Sequence, residues 1–269
     1  MKRLRTIMII LIAILIELPS FAVVLHNDED APTNRPNDNV VGRWSSNASA
    51  VAIGRTNWQH TSYIITARHQ GGGVNTSVYF GGAEYKVAQQ WLNNSVDMRI
   101  CRLETTDGKD ADLNDFVPWY TGTNEISSSI VIGGFGKGRG TSSTDLDGKY
   151  YTWLGTNNLT QRWGVNNIDS TDVIITDSYT SDVINILFGK VVSKECAVAE
   201  WDSGGGWFIK NNQTTNWMLI ALSAYVEHSG KSYYNPSDMN AGIRVGSYAE
   251  WIDSIIPEKS DSPTLILIQ

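Results

Sequence analysis

The chain is poor in cysteine, proline and basic charge, and each shortage excludes something. Two cysteines in 269 residues, Cys101 and Cys196, are too few for a disulfide scaffold, and neither sits at a metal-ligand spacing. Both are expected as free thiols behaving as small apolar residues. Only 7 prolines stand beside 24 glycines, 10 tryptophans and 11 tyrosines, a balance that suits a β-rich protein with many tight turns. A net charge of -7, a pI near 5.1 and no basic cluster after Arg5 argue against a nucleic-acid partner. The unbroken apolar run Ile7 to Ile16 is about half of the ~20 residues a membrane-spanning helix needs, so no stable anchor is expected. Lys2, Arg3 and Arg5 precede that run and Glu17-Leu-Pro-Ser-Phe-Ala22 follows it. This is the layout of a signal peptide over 1–22, cleaved after Ala22, and it implies a secreted or periplasmic protein.

What remains can bury a sizeable core as one all-β domain or two small ones. Short apolar or alternating runs recur at 49–54, 62–67, 77–80, 84–91, 97–103, 128–136, 172–179, 182–189, 206–210 and 217–226. Turn signals such as Gly71-Gly72-Gly73 and Asp145-Leu-Asp-Gly148 separate them, a spacing that predicts antiparallel sandwich or barrel architecture. One helix is expected, over 247–256. Tyr248, Trp251, Ile252, Ile255 and Ile256 share one face, Ser247 and Glu250 form a capping box, and Pro257 stops it. The segment 258–269 is a short tail.

Three segments carry chemistry. YIITARH, 63–69, is a β-branched strand running into a histidine; SVDMRICRLE, 95–104, places an acid at the start of an apolar strand; AEWDSGGG, 199–206, sets a serine in a glycine turn. A serine hydroxyl attacks only when an imidazole takes its proton and a carboxylate orients that imidazole. His69, Asp97 and Ser203 supply these groups, if the fold joins them. His60 is the rival base and Asp110, Asp112 and Asp115 the rival acids, all in polar, loop-like stretches.

In this order the segments resemble the trypsin-like (chymotrypsin-fold) serine peptidases. YIITARH is similar to their Thr-Ala-Ala-His strand, VDMRICRL to their Asp-Ile-Ala-Leu-Leu strand, and WDSGGG to their Gly-Asp-Ser-Gly-Gly-Pro loop. GFG (134–136), LIALSAY (219–225) and GIRVGSYAEWI (242–252) are smaller echoes. The resemblance implies two antiparallel β-barrels, an N-terminal one over 23–125 with His69 and Asp97 and a C-terminal one over 126–257 with Ser203. It implies a serine endopeptidase acting on polypeptide through an acyl-enzyme, with no cofactor and no metal. It makes His69 the base, Asp97 its orienter, Ser203 the nucleophile, and the N–H groups of Trp201 and Ser203 the oxyanion hole. Ala197, Val198, Ser223, Ala224 and Tyr225 fall at the substrate pocket, which lacks the carboxylate that selects basic side chains. Asp202 becomes the partner of a new N-terminus, at Val23 or Val40; the short run from Val40 to His69 favours Val23.

Trp201 departs from the family, which has glycine there, and Tyr225 replaces another glycine. No cysteine follows His69. These departures motivate a second expectation: a catalytically impaired homologue that binds peptide or protein in the same cleft.

Overall fold

The computed structural model describes residues 23–25, 31–145, 148–153, 160–189, 192–211, 214, 216–227 and 238–258. The expected signal peptide over 1–22 and the tail from 259 onward lie outside the described residues. In chain order the strands are β1 (Val24–Leu25), β2 (Val41–Trp44), β3 (Ala48–Ala52), β4 (Tyr63–Ala67), β5 (Ser77–Phe80), β6 (Ala83–Leu92) and β7 (Met98–Thr105). After a linker come β8 (Ser129–Gly134), β9 (Arg139–Asp145), β10 (Gly148–Trp153), β11 (Arg162–Asn167), β12 (Ser170–Ile175), β13 (Thr180–Leu187), β14 (Cys196–Ala197), β15 (Gly206–Lys210), β16 (Trp217–Val226) and β17 (Met239–Arg244). The helix α1 (Ala249–Ile255) closes the fold.

The first half is a closed barrel in the order β2-β3-β4-β7-β6-β5, with β2 returning to pair β5. Side-chain alternation assigns its two faces. On β3, Ala48, Ala50 and Ala52 turn inward with Trp44, Ile64, Phe80, Cys101 and Leu103. Val51 and Ile53 turn outward with Ile65, Met98 and Ile100, onto Phe208, Leu219, Leu222 and Ile243 of the second half. All five residues of β3 are therefore buried, because both faces of that strand are covered. Small alanines inside leave room for the larger rings.

The second half is an antiparallel sheet in the order β11-β8-β15-β16-β17-β13-β12, open among the described residues. A second closed barrel was expected; the difference lies at β11, which has no ladder to β13. The buried Asn166 side chain stands in for one, donating from Nδ2 to the carbonyls of Leu187 (3.1 Å) and Cys196 (2.8 Å). The two-residue β14 pairs β1 instead, Ala197 opposite Val24.

The linker stitches the halves together. Val117 exchanges backbone hydrogen bonds with Gly54 and Ala52, and Leu219 does so with Tyr120 and Pro118. Buried Glu125 takes both arms of the Arg244 guanidinium at 3.0 and 2.7 Å, which fixes the end of β17. The C-terminal helix exists, with Ile252 and Ile256 buried, but the capping box does not form. The chain enters α1 through a 3-10 turn, Val245–Tyr248, so Ser247 lies inside the turn and Ala249 N–H bonds Gly246 O instead. Cys101 and Cys196 are free and buried in different clusters, and burial pushes the Cys101 thiol up to about 12.

Phe208 is fully buried, its ring packed 5.6 Å from that of Trp163. Phe208→Ala is expected to cost about 3–5 kcal/mol in denaturant unfolding. Val173→Ala, on the half-exposed edge strand β12, should cost under about 0.5 kcal/mol. Equal losses at the two positions would contradict this account of the core.

Candidate active site

The barrel register brings His69 to Asp97. Ala67 at the end of β4 pairs with Met98 at the start of β7, so residues 68–69 leave one strand beside the residue that opens the other. Asp97 is buried, and its Oδ1 accepts from the backbone N–H groups of Arg68 (2.8 Å) and His69 (2.7 Å). Its Oδ2 faces His69 Nδ1 at 2.5 Å. A carboxylate there makes Nδ1 the protonated nitrogen and leaves Nε2 to accept. Ser203 Oγ lies 2.8 Å from that Nε2. Arg99, on β7, anchors the turn after the histidine by donating to the carbonyls of Gly71 (2.7 Å) and Gly72 (3.0 Å), with Trp44 stacked 4.4 Å from its guanidinium.

The serine turn is held from both halves of the molecule. Its carbonyl accepts from Ser49 N–H (2.9 Å) and from Gln70 Nε2 (2.6 Å), and Gly204 N–H donates to Ser223 O at 2.8 Å. Thr66 Oγ1 bonds Ser49 O at 2.6 Å and Gln70 Nε2 at 2.8 Å, completing a buried polar seam. Gly204 sits at φ +79, where a Cβ would meet Thr66 Oγ1 at 2.1 Å and Ser49 O at 2.4 Å. Glycine is required there by space as well as by torsion. Ser49 and Gln70 carry no local signature, and Thr66, though inside the quoted YIITARH segment, has no role assigned by the sequence.

Trp201 adopts φ +75, the left-handed region in which a side chain is strained by about 1–3 kcal/mol. Its peptide orientation is decided by a neighbour. Lys137 N–H donates to Glu200 O at 2.7 Å, and none of the peptide bonds is cis. In a trans peptide C=O and N–H point opposite ways, so the Trp201 N–H is turned away from Lys137. Among the described residues neither the Trp201 nor the Ser203 N–H has an acceptor. The turn that carries the Ser203 hydroxyl thus holds two free backbone donors.

Asp202 is buried behind the turn. Its Oδ2 accepts from Ala199 N–H (2.7 Å) and Val23 N–H (3.2 Å), and its Oδ1 from Gly136 N–H (2.7 Å). A Cβ on Gly134 or Gly136 would collide with this carboxyl, so GFG permits the approach. Burial pushes the Asp202 carboxyl up to about 6, while those three N–H bonds and the Arg162 charge oppose the rise. Val40, the other expected N-terminus, is buried at the end of a 3-10 turn (Asp38–Val40) that leads directly into β2.

A cavity of about 360 Å³ opens beside Ser203 and His69. Val198, Ser223, Ala224 and Tyr225 line it as expected; Ala197 does not, being buried in β14 against Val24. Ala224 is the extra residue of a bulge between Ser223 and Tyr225, and the Ser223 hydroxyl accepts from Trp207 Nε1 at 2.9 Å. Tyr225 reaches across toward Ser181 Oγ, 3.3 Å away. Trp153, from the β9–β10 hairpin, lines the cavity too and was not anticipated. The rival pair His60 and Asp112 meets at 3.3 Å on the exposed far side, and Asp110 and Asp115 bond Arg102 and Asn39 there.

The arrangement can pass a proton from a hydroxyl to an imidazole whose charge a buried carboxylate balances, beside two backbone donors for a developing oxyanion. Compared with known proteins, the chain matches no family model and no curated sequence. The fold shown is a mostly β chain with one closed six-stranded barrel, compatible with a chymotrypsin-like fold.

The Asp202 carboxyl sets a pH test on the chain with residues 1–22 attached. Its folded value, about 6, exceeds the ordinary 3.8, so the folded state binds the proton more tightly. Stability contributed here is full at low pH and lost as pH rises through 6. From about pH 7 to about pH 4 the native chain should gain about 2 kcal/mol relative to Asp202→Asn in paired denaturant titrations. A pH-independent difference would contradict the burial assigned to this carboxyl.

Proposed function

We propose that the chain is an exported serine endopeptidase of the trypsin-like fold, with the open seven-stranded sheet, bridged by Asn166, serving as the second barrel. One observation carries the reading: Ser203 Oγ, His69 and buried Asp97 form an unbroken relay, 2.8 Å and 2.5 Å long at its two links. Ser203 attacks the scissile carbonyl as His69 Nε2 takes its proton. Asp97 holds the ring and balances the imidazolium, and the Trp201 and Ser203 N–H groups receive the oxyanion. His69 then protonates the leaving amine, and water repeats the cycle on the acyl-enzyme. No cofactor enters these steps.

The N-terminus adds support. Val23 is fully buried with its nitrogen on Asp202, and its φ of +42 is strained for a β-branched residue. Cleavage after Ala22 abolishes that torsion and converts the amide into an ammonium, which would neutralise Asp202. Removal of the signal peptide would then be the activating cut, with no second protease. Mass spectrometry of the exported protein should find Val23 first. A mature chain starting elsewhere would exclude this mode of activation.

The cavity wall is apolar at Val198, Ala199 and Ala224, and Tyr225 narrows it. No wall carboxylate is buried there; Glu200, the one acid, is exposed and paired with Lys137. Cleavage after small or apolar residues should dominate a peptide-library digest. Dominant cleavage after Lys or Arg would show that another acid, Glu195 or Glu200, serves the pocket.

The strain at Trp201 favours one competing reading, a catalytically impaired homologue that binds peptide in this cleft. A fluorophosphonate probe separates the two. One covalent adduct per chain is expected on Ser203, abolished by Ser203→Ala and slowed by orders of magnitude by His69→Ala. Absence of an adduct on the mature chain would favour the binding module.

A further inference from the structure

We propose that Lys137 is a positioning residue that keeps the Trp201 N–H turned into the site, an inference that rests on the peptidase reading above. Three contacts run from Lys137 to the two residues before Asp202. Its N–H donates to Glu200 O at 2.7 Å, its ammonium lies 2.5 Å from Glu200 Oε2, and that ammonium sits 4.5 Å from the centre of the Trp201 indole. The Lys137 side chain is only 16% exposed, so its contact with the indole is partly shielded from water, while the exposed Glu200 carboxylate is screened and adds less. Lys137 is itself held, because its neighbour Gly136 donates to buried Asp202.

Trp201 at φ +75 tends to relax toward negative φ. That relaxation rotates the 200–201 peptide and puts a carbonyl where the donor stood. The indole gives the cation something to grip, and the Glu200 carboxylate gives it a second hold one residue earlier. A tryptophan is thus tolerated where glycine would be least strained, because its side chain is the handle by which the turn is held. Lys137 touches no reacting atom; it acts through the peptide it restrains.

The test compares kcat and KM in wild type, K137M, K137R, W201G and the K137M/W201G double variant. K137M should lower kcat between about tenfold and about 10²-fold, with KM moved less than about twofold, because a transition-state donor is what is lost. K137R should restore most of the rate, since guanidinium also stacks on indole and pairs with carboxylate. In the W201G background, K137M should cost less than about twofold, because glycine holds positive φ unaided. An equal loss from K137M in both backgrounds would overturn the proposal.

A second readout does not need activity. Glutamate labelled at its carbonyl carbon and tryptophan labelled at nitrogen give two Glu–Trp amide cross-peaks, from Glu200–Trp201 and Glu250–Trp251. K137M should shift the first and leave the second, on α1, in place, which also reports that the variant is folded. An unmoved first peak would overturn the clamp whether or not the wild type turns over substrate. A wild type without turnover whose first peak moves would keep the clamp and remove the peptidase reading.

Discussion

The buried carboxylate of Asp202 is the point on which the rest depends. It is buried, and three backbone N–H groups from separate parts of the chain converge on it: Val23, Gly136 and Ala199. A carboxyl in that position is expensive unless donors surround it, so the donors are held as firmly as the acid. One group therefore fixes the first strand, the GFG turn and the shape of the loop that presents Ser203. The raised titration of Asp202 is the mark of that burial.

From that point order spreads outward along short polar links. The Ser203 carbonyl is shared by Ser49 from the barrel and Gln70 from the turn after the histidine, so His69 and Ser203 are tied through backbone as well as through their own hydrogen bond. Arg99 does the same for the histidine turn from beneath, gripping two glycine carbonyls while Trp44 covers its face. These links do the work that a disulfide beside the histidine would otherwise do. The two thiols, both buried and in different clusters, contribute no such link.

The local fold follows from the same economy of space. β3 alternates alanine with larger residues, so the barrel interior takes Trp44 and Phe80 while Val51 and Ile53 meet the second sheet. Glycine at 134, 136 and 204 allows backbone to approach Asp202 and the polar seam more closely than any side chain would permit. Trp201 is the exception, a large residue at positive φ, and its cost is offset by the ammonium of Lys137 on its ring.

Much of this was legible from residue order. Alternation and turn residues predicted the β class and most strands, and the apolar face of 248–256 predicted the closing helix, because both signals are local. The segments around His69, Asp97 and Ser203 were also visible, since each couples a strand to a polar end. What residue order could not reach was anything decided by contacts between distant segments. The gap beside β11 is bridged by one buried asparagine; the failed capping box depends on a 3-10 turn; Ala197 lies in β14, paired with β1, and not at the cavity. Ser49, Gln70 and Lys137 are ordinary residues in one dimension, Thr66 and Arg99 lie in the quoted segments with no role assigned there, and all five acquire roles through partners as far as about 150 positions away. The sequence by itself determined which groups were available and roughly where strands would carry them. Only the tertiary structure decided which way the Trp201 peptide faces, because that choice belongs to Lys137, a residue brought beside it from another strand connection.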